Sequence, residues 1–377
     1  MKPIGLYIHI PFCLKKCNYC DFASVAGRME LLPAYLHALE TELAMRRSDW
    51  PEREVSTIFL GGGTPSLLPP EAYGRLMEAV HNAFSVHPYA EISLEANPGT
   101  VTAEKAAAMR AAGFNRISMG VQAAQDELLA SLGRIHRRRD AEEAAILFAD
   151  AGFRNLNVDL MFGLPGQTME MWRETLTFAL SLPVSHLSCY SLSIEEGTPW
   201  GELYRIKQLE PASEALDRSM YHEMRNRLDA SGFGQYELSN FAKPGFSCRH
   251  NLIYWNRREY LGIGAGAHSL MEETRFANTA SPDAYIRGME TGVPSMSEES
   301  ALTPAEALSE RMFMGMRLTE GLGLDLVSRE FGLDVSARFA GEISRLIEQG
   351  LVQADGPLLR LTEKGLDLAN QVFLAFL

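Results

Sequence analysis

The stretch PFCLKKCNYCDF places Cys13, Cys17 and Cys20 in a C-x3-C-x2-C run, three of the five cysteines in the chain. A disulfide framework needs pairs, and a closed zinc site takes four ligands. Three thiolates at this spacing suit an iron–sulfur cluster that leaves one iron for a small chelating ligand. Zinc is the alternative, with His9 or Cys248 as its fourth ligand. The remaining cysteines, Cys189 and Cys248, are too few for a disulfide scaffold.

Other short stretches carry polar or glycine-rich chemistry: GGGTPS from Gly61, EANPGT from Glu95, GVQ ending at Gln122, GRIH with Arg134, and DLMFGLPGQ from Asp159. Glycines let backbone approach a ligand closely. A carboxylate accepts from hydroxyl or ammonium groups, and Arg pairs with carboxylates in a bidentate fork. Farther on, CRHNLIYW (248–255) sets an imidazole, His250, beside Asn251, Tyr254 and Trp255. Aromatics usually pack into a core, so the plain reading is a loop that returns Tyr254 and Trp255 to the interior. No Cys-x-x-Cys-His is present, so c-type attachment is not indicated.

These residues need a frame. Apolar, β-branched runs at 5–10, 55–60, 90–95, 115–121, 155–161 and 185–192 alternate with helical stretches near 31–47, 70–84, 102–112, 138–152, 168–181 and 212–230. Such alternation predicts parallel strands with right-handed crossovers, an α/β incomplete (β/α)6 barrel whose site lies at the C-terminal ends of its strands. The motifs above all follow strands, so they collect at one mouth. Thr102 with Lys105 reads as a helix cap, and Gly113, Gly152 and Gly232 as helix ends. Residues 1–235 are expected to form this barrel. Residues 236–300 hold the H-N-x-x-Y-W segment and a polar linker near 290–304. Residues 301–377, with helical stretches and a hairpin at Asp355-Gly356, are expected to form a small winged-helix-like α+β module.

Composition, with 46% hydrophobic and 22% charged residues, is that of an ordinary globular protein. A net charge of −13 argues against a nucleic-acid surface, and the basic knot at 133–140 reads as a solvated helix start apart from Arg134. No run is long enough for a membrane span and no secretory signal is visible, so a cytoplasmic location is expected.

C-x3-C-x2-C with Tyr19 before the last cysteine resembles the signature of the radical S-adenosylmethionine (SAM) superfamily. The order LYIHIPFC, YCDF, GGGTPS, EANPGT, GVQ, LGRIH, NVDLMFGLPGQ, HNLIYW resembles the HemN/HemW family across nearly the whole chain, and its HemW-type haem chaperones in particular. The resemblance implies that Cys13, Cys17 and Cys20 hold a [4Fe–4S] cluster with SAM on the fourth iron. It implies SAM contacts for Tyr7, Tyr19, Gly62, Gly63, Thr64, Glu95, Gln122, Arg134 and Asp159. It implies haem contacts for His250, Asn251, Tyr254 and Trp255, with His250 as the axial ligand and Cys248 and His268 as lesser candidates, since imidazole ligates haem iron and aromatic rings stack on porphyrins. Haem-acceptor proteins are the implied partners, with membrane contact through such a partner and not through a span.

The enzyme branch of that family, oxygen-independent coproporphyrinogen III dehydrogenase, is the alternative reading. Its cysteine run continues with a fourth cysteine where Phe22 stands, and it carries an N-terminal extension ahead of the cluster motif. Both departures place this chain nearer the chaperones than the SAM-dependent decarboxylases, and whether it is an enzyme stays open.

Overall fold

The computed structural model describes residues 3–377. Six parallel strands form in chain order: β1 (Ile4–Ile10), β2 (Glu54–Gly62), β3 (Ser85–Ala96), β4 (Arg116–Gln122), β5 (Asn155–Phe162) and β6 (His186–Ser191). Each is followed by a helix: α1 (Leu32–Asp49), α2 (Pro70–Ala83), α3 (Ala103–Ala111), α4 (Arg138–Asp150), α5 (Met169–Ser181) and α6 (Glu214–Ala230). All six strands and six helices fall where the apolar runs and helical stretches predict them. Thr102 caps α3 by accepting from the Lys105 N–H at 3.2 Å. Gly113 and Gly152 take φ of +98° and +92°, a left-handed turn that stops α3 and α4.

The strands alternate, and the alternation decides which side is which. Leu6, Ile8, Ile58, Leu60, Leu94, Ile117, Met119, Val158, Leu160 and Leu187 are fully buried and belong to the main core with residues of the helices. Burying each such side chain contributes about 1.5–3 kcal/mol. The intervening positions are mostly polar: Tyr7 and His9, Thr57, Glu91 and Glu95, Arg116 and Ser118, Asn157 and Asp159, His186 and Ser188. A period of two turns them to the opposite face, the barrel interior. The inside of this barrel is therefore a polar chamber, enclosed by an apolar shell.

The sheet does not stop at six strands. Tyr260–Ile263 adds parallel to β1, and His268–Met271, Thr274–Asn278 and Met296–Ala301 follow antiparallel. On the far side Asn240–Ala242 pairs antiparallel with β6. The segment expected as a linker near 290–304 is thus largely an edge strand, with every residue of 296–301 exposed. Its sequence, MSEESA, hides the strand because an edge with two wet faces needs no apolar alternation, and its acidic residues discourage further pairing.

Residues from Pro304 build a separate core around Met312, Met316, Val327, Leu346, Leu359 and Val372. Helices pack there on a three-stranded antiparallel sheet, Leu322–Gly323, Val352–Asp355 and Leu358–Leu361, with the hairpin turning at Gly356 (φ +58°). No described helix is long and apolar enough to cross a membrane.

Candidate functional site: the barrel mouth

The cysteine loop leaves β1 and is tied down at several points. Phe12–Cys13 pairs with Val25–Ala26, the Asn18 N–H and amide donate to Leu132 O and Ser131 O at 2.9 and 2.8 Å, and the Trp200 N–H donates to Asn18 O. His9 braces the loop from below. Its Nε2–H donates to Ala23 O at 2.8 Å, which leaves Nδ1 to accept from the Tyr7 hydroxyl at 2.9 Å. Above His9 lies Gly62 (φ +111°), where a Cβ would stand 2.3 Å from the imidazole. At Gly63 a Cβ would meet Phe12 O at 2.7 Å. Only glycine fits either position, so bare backbone faces the cysteines.

Cys13, Cys17, Cys20, Tyr19, Gly62, Gly63, Thr64, Glu95, Gln122, Arg134 and Asp159 line one cavity of about 140 Å³. All three expected cluster ligands and eight of the nine expected SAM contacts meet here. Tyr7 is the exception: it is not among the lining residues, and its hydroxyl is spent on His9. Gln122 adopts φ +70° at a bulge in β4, a conformation costly for a residue with a Cβ, and one that clusters at functional sites.

The donors suit a cluster with a chelated ligand. Thr64 Oγ1 and an Arg134 guanidinium nitrogen each approach a thiol, Cys13 Sγ and Cys17 Sγ respectively, at 3.5 Å. Arg134 Nε is buried with no partner, and its other nitrogen donates to Gly120 O at 2.7 Å. Burial, and the neighbouring Cys17 and Cys13, push the Cys20 thiol up, which a bound cation would reverse. Among the described residues no three His, Cys, Asp or Glu side chains converge to hold a single metal ion. Thiolates on three corners of a cube have no need to converge. The proposed fourth zinc ligands are elsewhere: His9 is engaged at both nitrogens, and Cys248 Sγ lies 3.6 Å from Glu91.

Glu95 Oε2 accepts from the Gly62 N–H at 2.9 Å. Burial first, and the Asp159 carboxylate second, raise its pKa to about 7. Asp159 is raised by burial despite bonds from Asn157 (2.8 Å) and Ser118 (3.4 Å).

A second cavity of about 340 Å³ continues inward. It shares Tyr19, Cys20, Phe22, Glu95, Ser118, Gln122 and Asp159 with the first and adds Arg116, Ser188, Tyr190 and Asn251. Tyr190 also borders a cleft of about 740 Å³ between β6, α6 and the C-terminal module, with Tyr221, Leu238, Arg317 and Leu368 in its walls. Sequence reasoning missed Arg116, Tyr190 and this cleft. The signal for Arg116 was present, since Arg116, Ser118, Gly120 and Gln122 recur every second residue on one face of a strand.

The H-N-x-x-Y-W stretch folds as α7 (Arg249–Trp255). The N–H groups of Arg249 and His250 donate to the Glu91 carboxylate, both at 3.0 Å. His250 is 1% exposed. Nδ1 bonds Thr57 Oγ1 at 2.8 Å, Nε2 bonds the Tyr254 hydroxyl at 2.9 Å, and the ring stacks on Phe59. Burial, and then Arg116, lower its pKa to about 3. Tyr254 packs edge-on against Tyr260, and Trp255 lies under Arg317 at 4.2 Å. His250 is the expected axial ligand, and in this structure neither of its nitrogens could meet iron without breaking a hydrogen bond. Of the four expected haem contacts only Asn251 lines one of the cavities described above. His268 is a surface residue near Glu298.

A parallel partial barrel with three cysteines at its mouth is the architecture of the radical SAM class, and residues 7–179 match the radical SAM superfamily while 302–368 match the HemN C-terminal domain. The heme chaperone HemW of Bacillus subtilis is 37% identical over 98% of this chain and 98% of its own length. HemW of Escherichia coli is 41% identical over 76% of this chain and 77% of its own. The chain belongs to the HemW heme chaperone family. Among solved structures, the E. coli coproporphyrinogen III oxidase HemN, a radical SAM enzyme, superposes with a TM-score of 0.88 at 25% identity, covering 100% of this chain and 90% of its own.

Proposed function

We propose that this protein is a haem chaperone that keeps a [4Fe–4S] cluster and SAM at its barrel mouth and delivers haem to acceptor proteins. The observation that carries this reading is the identity with a heme chaperone along 98% of both chains. Phe22 supports it: an exposed phenyl ring borders both cavities where the dehydrogenase pattern has a fourth cysteine.

In this reading Cys13, Cys17 and Cys20 would hold the cluster, which would supply a binding point for SAM and, when reduced, an electron. The chain does the rest. Gly62 and Gly63 let backbone approach the amino-acid end of SAM, and Glu95 offers its uncommitted oxygen to an ammonium or hydroxyl. Arg134 sets a fixed positive charge beside Cys17. His9 and Tyr7 act from beneath by holding the loop and the glycines in place. The haem cargo is assigned to the inner cavity and the adjoining cleft, whose volumes are in the range of small-molecule sites. Acceptor proteins and a cytoplasmic setting belong to the same proposal.

Anaerobic reconstitution followed by haem or coproporphyrinogen III in turn tests it. The expected result is about one haem per chain with a Soret band, and no SAM-dependent decarboxylation. Robust formation of protoporphyrinogen would restore the dehydrogenase reading, which the likeness to HemN keeps in view.

A further inference from the structure

Arg116 stands in the middle of the barrel, on the inward face of β4, and is 2% exposed. Its Nε is buried without a partner, and its guanidinium makes no hydrogen bond or ion pair among the described residues. A buried charge of this kind is among the costliest features a fold can keep. The acids around it are committed elsewhere. Glu91 accepts from the N–H groups of Arg249 and His250 and lies beside the Cys248 thiol. Asp159 accepts from Asn157 and Ser118. Burial opposes the charge on Arg116, while Cys248, Glu91, Tyr236 and Asp159 favour it, and the balance raises its pKa above the ordinary guanidinium value.

The guanidinium borders the inner cavity only. Glu95 and Asp159 line both cavities and so sit toward the cysteine mouth, whereas Arg116, Asn251 and Ser188 line the inner one alone, and Tyr190 opens it toward the outer cleft. The side-chain amide of Asn251 makes no hydrogen bond within the described chain, which leaves a donor on the cavity that Arg116 lines. A fork of guanidinium donors with an amide on the same cavity matches a carboxylate.

We propose that the deep end of the inner cavity is a carboxylate-binding site, with Arg116 as the ion-pair partner and Asn251 as an added donor. Resting on the haem-chaperone reading, the carboxylate is a propionate of the haem; a small free carboxylate is the other source of the same chemistry. This assigns Asn251 of the H-N-x-x-Y-W stretch to the ligand, while His250 and Tyr254 hold the helix that presents it.

The test titrates reconstituted wild-type protein, Arg116→Gln, Arg116→Lys and Asn251→Ala with haem and with haem dimethyl ester, whose propionates are blocked. Wild type is expected to prefer haem over the ester by on the order of tenfold to a hundredfold, the value of a charge-assisted hydrogen-bonded pair. That preference should collapse in Arg116→Gln, persist in part in Arg116→Lys, and shrink in Asn251→Ala, which keeps the question answerable if Arg116→Gln does not fold. Iron content reports folding of each variant. Haem and ester binding wild type equally would overturn the site and leave the chaperone reading standing. If wild type binds neither, the chaperone reading falls, and sodium propionate decides the site. A rise in melting temperature over equal sodium chloride, absent in Arg116→Gln, would support it, and no rise would overturn it.

Discussion

The barrel mouth and α7 are built from similar residues and differ in what those residues have left to give. Both hold polar and aromatic side chains gathered in loops or short helices after strands. At the mouth, Arg134 Nε is unpartnered, one Glu95 oxygen is uncommitted, and glycines expose backbone to an open cavity. On α7, His250 has both nitrogens bonded and Glu91 caps the helix start, while Trp255 is covered by Arg317 and keeps a buried, unpartnered Nε1. Unspent hydrogen-bonding capacity facing a cavity, as at the mouth and at Asn251, marks a binding site, and internal satisfaction, as at the His250 imidazole, marks architecture. A motif names residue types; its free donors and acceptors tell which of them are used.

The largest expected effect comes from the mouth. Anaerobically reconstituted wild type should hold about four irons per chain, the content of a [4Fe–4S] cube. Replacing Cys13, Cys17 or Cys20 with Ala should abolish it, because no other cysteine lines the cavity. Cys189→Ala and Cys248→Ala should leave iron unchanged, since both thiols are buried in protein. Stoichiometric zinc in place of iron would break the contrast at its stronger end.

His250→Ala probes the other region. It strands the Thr57 and Tyr254 hydroxyls and opens a hole against Phe59, at a combined cost of ~3–4 kcal/mol in unfolding free energy. Iron content should not change. A stable variant that has lost haem would show that His250 serves the ligand after all.

Glu95 gives an effect of intermediate size with a definite sign. Its folded pKa of about 7 lies above the ordinary carboxylate range, so the native state holds its proton more tightly than the unfolded chain. The neutral form favours folding fully below the unfolded value of about 4.3, and that contribution is lost as pH rises through the folded value. Cluster-free wild type should therefore lose up to ~3 kcal/mol relative to Glu95→Gln between pH 4.5 and 8, by denaturant unfolding. Contact with the open cavity brings the measured value below that ceiling. A difference that does not vary with pH would show that Glu95 ionises as freely as a surface acid.

How much of this was legible depends on where each residue spends its contacts. The six strands could be read because parallel strands under helices carry long apolar runs, as in VSTIFL and NRISMGV. The edge strand at 296–301 could not, since both its faces are wet. The cysteine mouth was legible because its ligands lie within eight residues, each exposed by spacing and type. The state of His250 was not: Thr57, which occupies Nδ1, is 193 residues away, and only the sheet that sets β2 beside β1 brings it near. Arg116 lay between the two cases, readable as one face of a strand but indistinguishable there from a paired core arginine.

The smallest effect sharpens the comparison most. Tyr254→Phe removes one hydroxyl and leaves the aromatic packing against Tyr260 in place. If α7 is architecture, the loss is one buried hydrogen bond, ~1 kcal/mol, with haem affinity unchanged. If His250 is instead the axial ligand, the same change frees Nε2 from its competitor. A hydrogen bond worth ~1 kcal/mol that no longer has to be broken would tighten haem binding by about fivefold. The two accounts thus predict opposite balances of stability and affinity from a single oxygen atom. A haem titration and a denaturation curve on the same preparation separate them. Tighter haem binding in Tyr254→Phe would move the cargo from the deep cavity back to the imidazole, and with it the boundary between site and scaffold.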